Sequence, residues 1–169
     1  MASAGTGSSN HLVGELCQAQ TGVKLNHIPY KGSGQALNDL LAGQVSVMFD
    51  QLTSASANIK AGKLRALAVL GKDRLADFPD IQTAAESGMP GFEVDTWYGV
   101  LAPAGVPREI VVRLNAELTR MMQAGEMRER LAALGVQPLS STPEKFGEFL
   151  KAEVLKWAAV VKASGARAD

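Results

Sequence analysis

Residues 5–11 combine the residue types that most often bind an anion or attack a carbonyl group. They read GTGSSNH and lead directly into an amphipathic helical pattern. A glycine-rich turn before a helix leaves several backbone N–H groups unpaired, and the helix dipole adds partial positive charge at the same place. A carboxylate or phosphate fits such a cradle without an arginine. In a simpler interpretation, Ser8 or Ser9 only caps the helix.

A serine hydrolase triad is the second chemistry that these residue types suggest. It would combine Ser8 or Ser9 with a histidine, His11 or His27, and with Asp50. The nucleophile-elbow pattern G-x-S-x-G is absent, and both histidines precede the acid, whereas in the α/β-hydrolase fold the histidine follows it. The sequence therefore disfavours a hydrolase, although other orders of the triad residues occur.

Metal and nucleotide sites have little support in the sequence. Cys17 is the only cysteine, no histidine pair has the spacing of a zinc site, and no P-loop occurs. A dinucleotide-binding fingerprint would need glycine where the chain has Asn10. We therefore expect no cofactor and no metal.

Asp50 ends the apolar stretch VSVMFD and has two interpretations. It caps a helix that starts near Leu52, or it accepts hydrogen bonds from the amine, hydroxyl or water of a bound ligand. The local pattern does not choose between them.

Five further residues are weaker ligand-binding candidates. A second glycine-containing turn before a helix repeats the anion-binding pattern, and an aromatic residue could stack at a cleft or pack in the core. His11 lies in the first helical turn, where orienting the loop suits it better than proton transfer. These candidates are Tyr30, Gly32, Ser33, His11 and Trp97.

The composition restricts the function classes. Lys and Arg together number 17, as do Asp and Glu, and 46% of the 169 residues are hydrophobic. Balanced charge argues against a nucleic-acid-binding protein, which normally carries a basic stripe. No apolar run reaches the roughly 18 residues of a membrane span, and no signal-peptide pattern is present in this chain.

Hydrophobic periodicity predicts alternating helices and strands over the first part of the chain. Helices are expected at 9–20, 35–42 and 53–61, and strands at 23–30, 45–50 and 64–70. Such alternation with short connections predicts a parallel sheet covered by helices. The turns after parallel strands lie together at the carboxyl edge of the sheet, where ligands bind.

The pattern changes after Gly71. Residues 73–92 are rich in proline and glycine and predict an irregular connection, followed by a strand at 96–103. Helices are then expected at 107–123 and 126–134, and a long amphipathic helix begins at Thr142 and Pro143.

Several segments resemble the substrate receptors of tripartite tricarboxylate transporters, also called Bug proteins. They are SAGTGSSNHLVGEL, HIPYKGSGQALNDLLAGQVSVMFDQL, IKAGKLRALAV, FPDIQTAAESGMPGFEVDTWYGVLAPAGVP and WAAVVKASG, which follow in order along the chain. The resemblance implies a periplasmic solute-binding protein with a type II α/β fold, in which two lobes close on a small organic acid. The ligands of the family are mono-, di- and tricarboxylates, amino acids and aromatic acids, which the receptor delivers to a membrane permease. The family does no covalent chemistry, so the resemblance implies that the chain is not an enzyme.

The resemblance also implies site residues. The carboxylate loop of the second lobe matches Thr6, Gly7, Ser8, Ser9 and Asn10. Asp50 matches the acid of an Asp-Asn pair in the family, although Gln51 stands here in place of the asparagine.

The resemblance covers only the C-terminal part of a family member. It implies that residues 1–71 form the bulk of the second lobe, that 72–95 form an irregular connection, and that 96–169 form a crossing strand and helices that pack on the first lobe. We therefore expect a parallel-rich lobe that is incomplete relative to the two-lobed fold, and a homo-oligomer formed through exposed apolar surface. The alternative function is a truncated or engineered remnant that self-associates without binding a solute.

Overall fold

The computed structural model describes residues 1–166 and contains two short strands and six helices within them. In chain order they are β1 Ala2–Ser3, α1 Ser9–Thr21, β2 Ile28–Pro29, α2 Ser33–Leu41, α3 Leu52–Lys60, α4 Arg108–Gln123, α5 Gly125–Ala133 and α6 Pro143–Ser164. The described chain divides into two compact units, one of Met1–Thr96 with the chain from Trp157 onward, the other of Trp97–Lys156.

Parallel pairing places β1 in the middle of the small sheet. Ala2 pairs with Ile28 of β2 and forms a second parallel bridge to Met48 on its other side. The Ala2 N–H donates to the carbonyl of Val47 at 2.9 Å. Each parallel connection contains a helix, α1 and then α2, as such connections require. The expected parallel arrangement covered by helices is therefore present around β1.

The ends of the first helix follow directly from its sequence. Ser8 is the N-cap residue, and Gly22 ends the helix in the left-handed conformation with φ 72°. Glycine adopts this conformation without the steric cost that a Cβ imposes, and the Gly22 N–H donates to the carbonyl of Gln18 at 2.9 Å. The helix predicted at 9–20 is confirmed.

Two apolar clusters stabilise the first unit. One surrounds Ala2, Ala36 and Val45, so that it joins β1, α2 and the segment beside Met48. The other surrounds Val13 and Phe92, and the half-buried Cys17 packs against it. Phe92 is 1% exposed. Together they fix α1 and α2 relative to the loops that follow β1 and β2.

The second unit is helical and has an aromatic cluster. Trp97 packs edge-on against Phe146 and Phe149, with ring centroids 5.8 and 5.2 Å away. Its indole N–H donates to Glu153 at 3.2 Å. A Cβ at Gly99 would overlap the ring of Phe146 on α6, so glycine at this position allows the backbone of residue 99 to lie close to α6.

Several predicted strands are wrong. Residues 45–50 and 64–70 contribute only single parallel bridges, at Met48 and Val69, and 96–103 contains no strand. The predicted strand at 23–30 is reduced to Ile28–Pro29. A strand needs a neighbouring backbone in register along its length, and within residues 1–166 these apolar stretches have such a neighbour at one point or none.

Candidate functional site

Three loops meet at the carboxyl edge of the small sheet. They are residues 4–8 after β1, 30–32 after β2 and 49–51 after the bridge at Met48. The Tyr30 N–H donates to the carbonyl of Ser3 at 3.0 Å, which joins the first two loops. Parallel strands end at the same edge, so the helices that follow all begin there.

The first loop, residues 4–8, is a tight turn built on the carbonyl of Gly5. That oxygen accepts the Ser8 N–H at 3.2 Å and the Ser8 hydroxyl at 2.6 Å. Ser8 Oγ in turn accepts the His11 N–H at 3.4 Å. Gly5 and Gly7 have positive φ values of 137° and 79°, which favour glycine at both positions. The Ser8 hydroxyl therefore caps α1 and is engaged within the turn.

Among residues 5–10, three backbone N–H groups have no acceptor within the described chain. They belong to Thr6, Ser9 and Asn10, and the last two lie in the first turn of α1. The N–H of Gly7 is occupied, because it donates to Nδ1 of His11 at 3.1 Å. Free N–H groups at a helix N-terminus are the arrangement that binds anions. Of the five residues that the resemblance assigns to the site, Thr6, Ser9 and Asn10 have free N–H groups. Gly7 and Ser8 make hydrogen bonds that shape the turn.

The Asn10 side chain links α1 to the third loop. Its amide donates to the carbonyl of Phe49, and the residue is only 4% exposed. A buried side-chain amide needs such an acceptor, and this bond fixes the start of α1 beside Asp50. The side chain of Asn10 therefore has a positioning role, whereas its backbone N–H is unpaired.

Asp50 has one engaged and one unpaired oxygen. Oδ2 accepts the Ser54 hydroxyl at 2.8 Å, whereas Oδ1 is buried and has no partner among the described residues. The N-cap residue of α3 is Gln51, so Asp50 does not occupy the capping position. An unpaired buried carboxylate oxygen is costly unless a donor reaches it.

The second loop presents a weaker version of the first. Gly32 is the N-cap residue of α2 with φ 130°, and Ser33 begins the helix. The Tyr30 hydroxyl donates to Asp39 Oδ2 at 2.7 Å, and this hydrogen bond is the main reason that the pKa of Tyr30 is raised. Tyr30 therefore holds α2 to its preceding loop.

Two stacked imidazoles lie behind the first loop. The rings of His11 and His27 are 3.9 Å apart at an interplanar angle of 11°. His27 Nε2 lies 2.6 Å from the hydroxyl of Ser3, which is fully buried. Burial is the largest cause of the lowered pKa of His27, and the neighbouring His11 acts in the same direction while Glu15 opposes it.

The Ser3 hydroxyl and the His27 ring are as close as a nucleophile and its base, but a substrate cannot reach them. Ser3 is 0% exposed, so no substrate carbonyl reaches its hydroxyl. The carboxylate of Glu15 lies 3.5 Å from Nε2 of His11, on the next turn of the same helix. The sequence pointed to the wrong serines for this contact, because Ser8 caps α1 and Ser9 is exposed on its first turn.

Trp97 lies in the second unit, with the aromatic contacts described above.

Sequence reasoning missed three residues of the candidate site, Ser3, Glu15 and Ser54. None belongs to a motif, and their roles depend on partners up to 24 residues away. The isolated polar Ser3 between Ala2 and Ala4 was the one available signal.

Within residues 1–166, no three His, Cys, Asp or Glu side chains group closely enough to hold a metal ion. None of the helices in that part of the chain has the length and apolar character needed to cross a membrane.

Comparison with known proteins gives consistent matches. The family model described as the tripartite tricarboxylate transporter family receptor matches residues 1–166. A protein encoded in the tcbD-tcbE intergenic region of Pseudomonas sp. (strain P51) is 45% identical over 157 residues, which are 92% of this chain and 47% of that protein. The chain spans about half the length of nearly all the curated relatives that it matches.

Solved structures show the same likeness. An R. palustris protein with adipate is 34% identical with a TM-score of 0.88, over 98% of this chain and 55% of that one. The periplasmic binding protein BugD is 39% identical with a TM-score of 0.87, over 98% and 56%. MatC from Rhodopseudomonas palustris with bound malate is 35% identical with a TM-score of 0.82, over 95% and 55%. The predicted periplasmic-binding-protein-like α/β fold is confirmed, and it is incomplete relative to these neighbours, since the chain covers 55–56% of each.

Proposed function

This chain belongs to the tripartite tricarboxylate transporter receptor family, and we propose on that premise that it binds a small organic carboxylate at the loop of residues 5–10. The observation that carries the proposal is the set of unpaired N–H groups of Thr6, Ser9 and Asn10, at the positive end of α1. Backbone donors and a helix dipole bind a carboxylate group without covalent chemistry, which suits a receptor rather than an enzyme.

The ligand class follows from chemistry and from the relatives. Adipate and malate, found with two similar structures, are both small dicarboxylates. We propose that Asp50 Oδ1 accepts a hydrogen bond from a ligand amine or hydroxyl, or from a water that bridges to the ligand, because this buried oxygen has no partner in the described chain. Mono- and tricarboxylates, amino acids and aromatic acids remain in the set to be screened.

The second loop contributes less in this proposal. Gly32 and Ser33 present the start of α2, a shorter helix, at the same edge as α1. Tyr30 and His11 position the loops, since their polar atoms are engaged with Asp39 and Gly7. Trp97 makes its contacts within the second unit and has no assigned role at the loop.

We also propose the setting in which the chain works. Members of the family include periplasmic binding proteins, and the family name couples the receptor to a membrane transporter. The proposal places this chain in the periplasm, as part of a receptor that delivers its ligand to a permease. It spans about half the length of its structural neighbours, so it carries part of the ligand contacts of such a receptor.

The test removes one N–H group without removing the helix. Ser9 is the first residue of α1, where proline is tolerated, and Ser8 has φ −66° and ψ 161°, a conformation that a residue before proline adopts. We expect Ser9→Pro to weaken adipate binding about tenfold, because the ligand loses one charge-assisted hydrogen bond. Isothermal titration calorimetry measures the change.

Two matched variants separate the N–H group from other effects. Ser9→Ala keeps the N–H and loses only the hydroxyl, and we expect it to bind more tightly than Ser9→Pro. Gly125→Pro makes the same backbone change at the first residue of α5, in the second unit, after Ala124 with φ −65° and ψ 134°. Equal weakening by Ser9→Pro and Gly125→Pro, or no heat with any carboxylate, would overturn the proposed site.

Self-association is the second candidate, and exposed apolar side chains favour it. Tyr98, Val100 and Leu101 are 69–72% exposed in a segment that forms no strand, and Val154 and Leu155 of α6 are 66% and 74% exposed. Surface of this kind commonly marks an interface. We propose that a second copy of the chain covers it. Gel filtration with light scattering tests this, and a monomer at all concentrations would contradict it.

A further inference from the structure

We propose that the stacked imidazoles of His11 and His27 hold the carboxylate loop in its binding conformation, and that protonation of His11 releases the loop and weakens ligand binding. The inference rests on the proposed function, because the loop that the two rings hold is the proposed carboxylate site. His11 and His27 are positioning residues in this account, since they act through the loop backbone.

The His11 ring bonds directly to the loop. Its Nδ1 accepts the Gly7 N–H at 3.1 Å, so this nitrogen carries a lone pair and the proton of the neutral ring is on Nε2. Nε2 lies 3.5 Å from Glu15 Oε1 on the next turn of α1. A second proton could bind only at Nδ1, where it would oppose the Gly7 N–H. Protonation therefore breaks this contact with the loop.

The His27 ring reaches the loop through Ser3. The Ser3 hydroxyl lies 2.6 Å from His27 Nε2 and 3.1 Å from the carbonyl of Gly5, and it accepts the Gly5 N–H at 3.2 Å. With one hydrogen, the hydroxyl donates either to Nε2 or to that carbonyl. When the hydroxyl donates to the Gly5 carbonyl, its oxygen can accept a hydrogen bond from a protonated Nε2. The contact between His27 and Ser3 therefore survives protonation of His27. The sensitive group is therefore His11.

The surroundings of the pair disfavour a proton on His27. Two imidazolium rings stacked at 3.9 Å would repel, and the N-terminal ammonium of Met1 also lowers the pKa of His27. Glu15 is the group that favours a proton on the pair, and it lies 3.5 Å from Nε2 of His11. Of the two rings, His11 is the one whose Nε2 lies beside a carboxylate.

The direction of the effect on binding depends on two opposed contributions. A protonated His11 adds positive charge near an anionic ligand, which favours binding. Loss of the Gly7 contact removes the loop conformation that presents the Thr6 and Ser9 N–H groups, which disfavours it. The Gly7 contact holds a conformation that presents several N–H donors at once, and we expect the loss of that preorganisation to outweigh the attraction of one added charge, so that affinity falls on acidification.

The first experiment follows the loop without ligand. We expect the amide resonance of Gly7, in ¹H–¹⁵N NMR spectra of the full chain, to move on acidification in parallel with the His11 ring resonances. His11→Asn places an uncharged acceptor where Nδ1 lies, so Gly7 should no longer titrate in that variant. Gly22, which caps the other end of α1, serves as the control amide. The inference would be overturned if the Gly7 amide resonance did not move with pH, or if it moved equally in the unmodified chain and in His11→Asn.

The second experiment measures the dissociation constant of adipate at about pH 7.5 and pH 5.5. We expect about tenfold weaker binding by the unmodified chain at the lower pH, the equivalent of one hydrogen bond. In His11→Asn, the ratio of the dissociation constants at the two pH values should fall towards one. His11→Ala should bind adipate weakly at both pH values. Binding that is equal or tighter at the lower pH contradicts the inference and leaves the proposed function intact. If neither adipate nor any other carboxylate of the screened set binds at any pH while the Gly7 resonance moves as expected, the proposed function fails and the His11-dependent release of the loop is retained.

Discussion

The hydroxyl of Ser54 donates to one carboxylate oxygen of Asp50 at 2.8 Å and leaves the other oxygen buried and unpaired. Ser54 lies four residues further along the chain, on the first turns of α3, so the helix itself orients the carboxylate. An acceptor held in this way at the edge where three loops meet suits a ligand that carries a donor beside its carboxylate.

Asp50→Asn should distinguish ligands with and without such a donor. Malate has a hydroxyl group next to one carboxylate, and adipate has none. We expect the affinity for malate to fall about fivefold to tenfold, because a charge-assisted hydrogen bond becomes a neutral one. Adipate should bind equally well or more tightly, because a nearby negative charge is removed. Calorimetric titration of both ligands measures the difference.

A surface variant controls for the change in total charge. Asp77→Asn removes the same charge from a side chain that is 58% exposed and paired with Lys60. It should leave both affinities unchanged. Equal shifts for malate and adipate in Asp50→Asn would show that Asp50 does not contact the ligand donor.

Asn10→Ala should destabilise the fold. The carbonyl of the half-buried Phe49 would lose the donor that the buried Asn10 side chain supplies, and a polar group left unpaired away from water costs about 1–3 kcal/mol. Urea denaturation followed by circular dichroism, at fixed protein concentration, measures the free energy of unfolding. Asn38→Ala on the exposed face of α2 is the matched control and should change it by less than about 0.5 kcal/mol. Equal effects of the two substitutions would remove the assigned role of Asn10.

Phe92→Ala should be more damaging than any other truncation proposed here. Its ring is 1% exposed, packs with Val13 and Ala84, and meets the ring of Phe49 edge-on at 6.3 Å. The transfer and cavity contributions together predict a loss of about 3–5 kcal/mol. Leu139→Ala, at a side chain 84% exposed, should be close to neutral. A shift of the urea midpoint for Phe92→Ala no larger than that of Leu139→Ala would contradict the assigned core.

Folding stability should fall as the pH drops below about 6.5, the ordinary pKa of histidine. Burial and His11 lower the pKa of His27 in the folded state, so below that value the unfolded chain binds this proton more tightly. The stabilisation present above pH 6.5 is therefore lost as the pH falls towards the folded-state pKa. Urea midpoints at about pH 7.5, 6.5 and 5.5 measure this trend. His27→Gln should reduce the slope, and an unchanged slope would assign it to other groups.

The helices could be predicted closely because their signals are local. Ser8 and Gly22 mark the ends of α1, and the apolar positions between them recur at the helical spacing. The helices predicted at 107–123 and 126–134 agree with α4 and α5 to within one residue. The strands could not be predicted in the same way, because a strand exists only where another backbone lies beside it.

The candidate site could be predicted in part. The glycine-rich loop and Asp50 were identified, because a turn before a helix and an acid after an apolar stretch are visible in the chain order. The split of the loop into free donors and structural residues was not, since it depends on which atoms accept the Gly7 and His11 N–H groups. The assignment of these residues to ligand binding stays a prediction.

The sequence by itself determined the helices, the glycine turns before them and membership of the receptor family, because these depend on local spacing and on residue order. Only the tertiary structure decided which groups are available to a ligand. It paired Ser3 with His27, Gly7 with His11 and Asn10 with Phe49. A hydrogen bond between distant residues is a property of their separation in space, and chain order does not encode that separation directly. The free N–H groups and the unpaired oxygen of Asp50 are what those pairings leave.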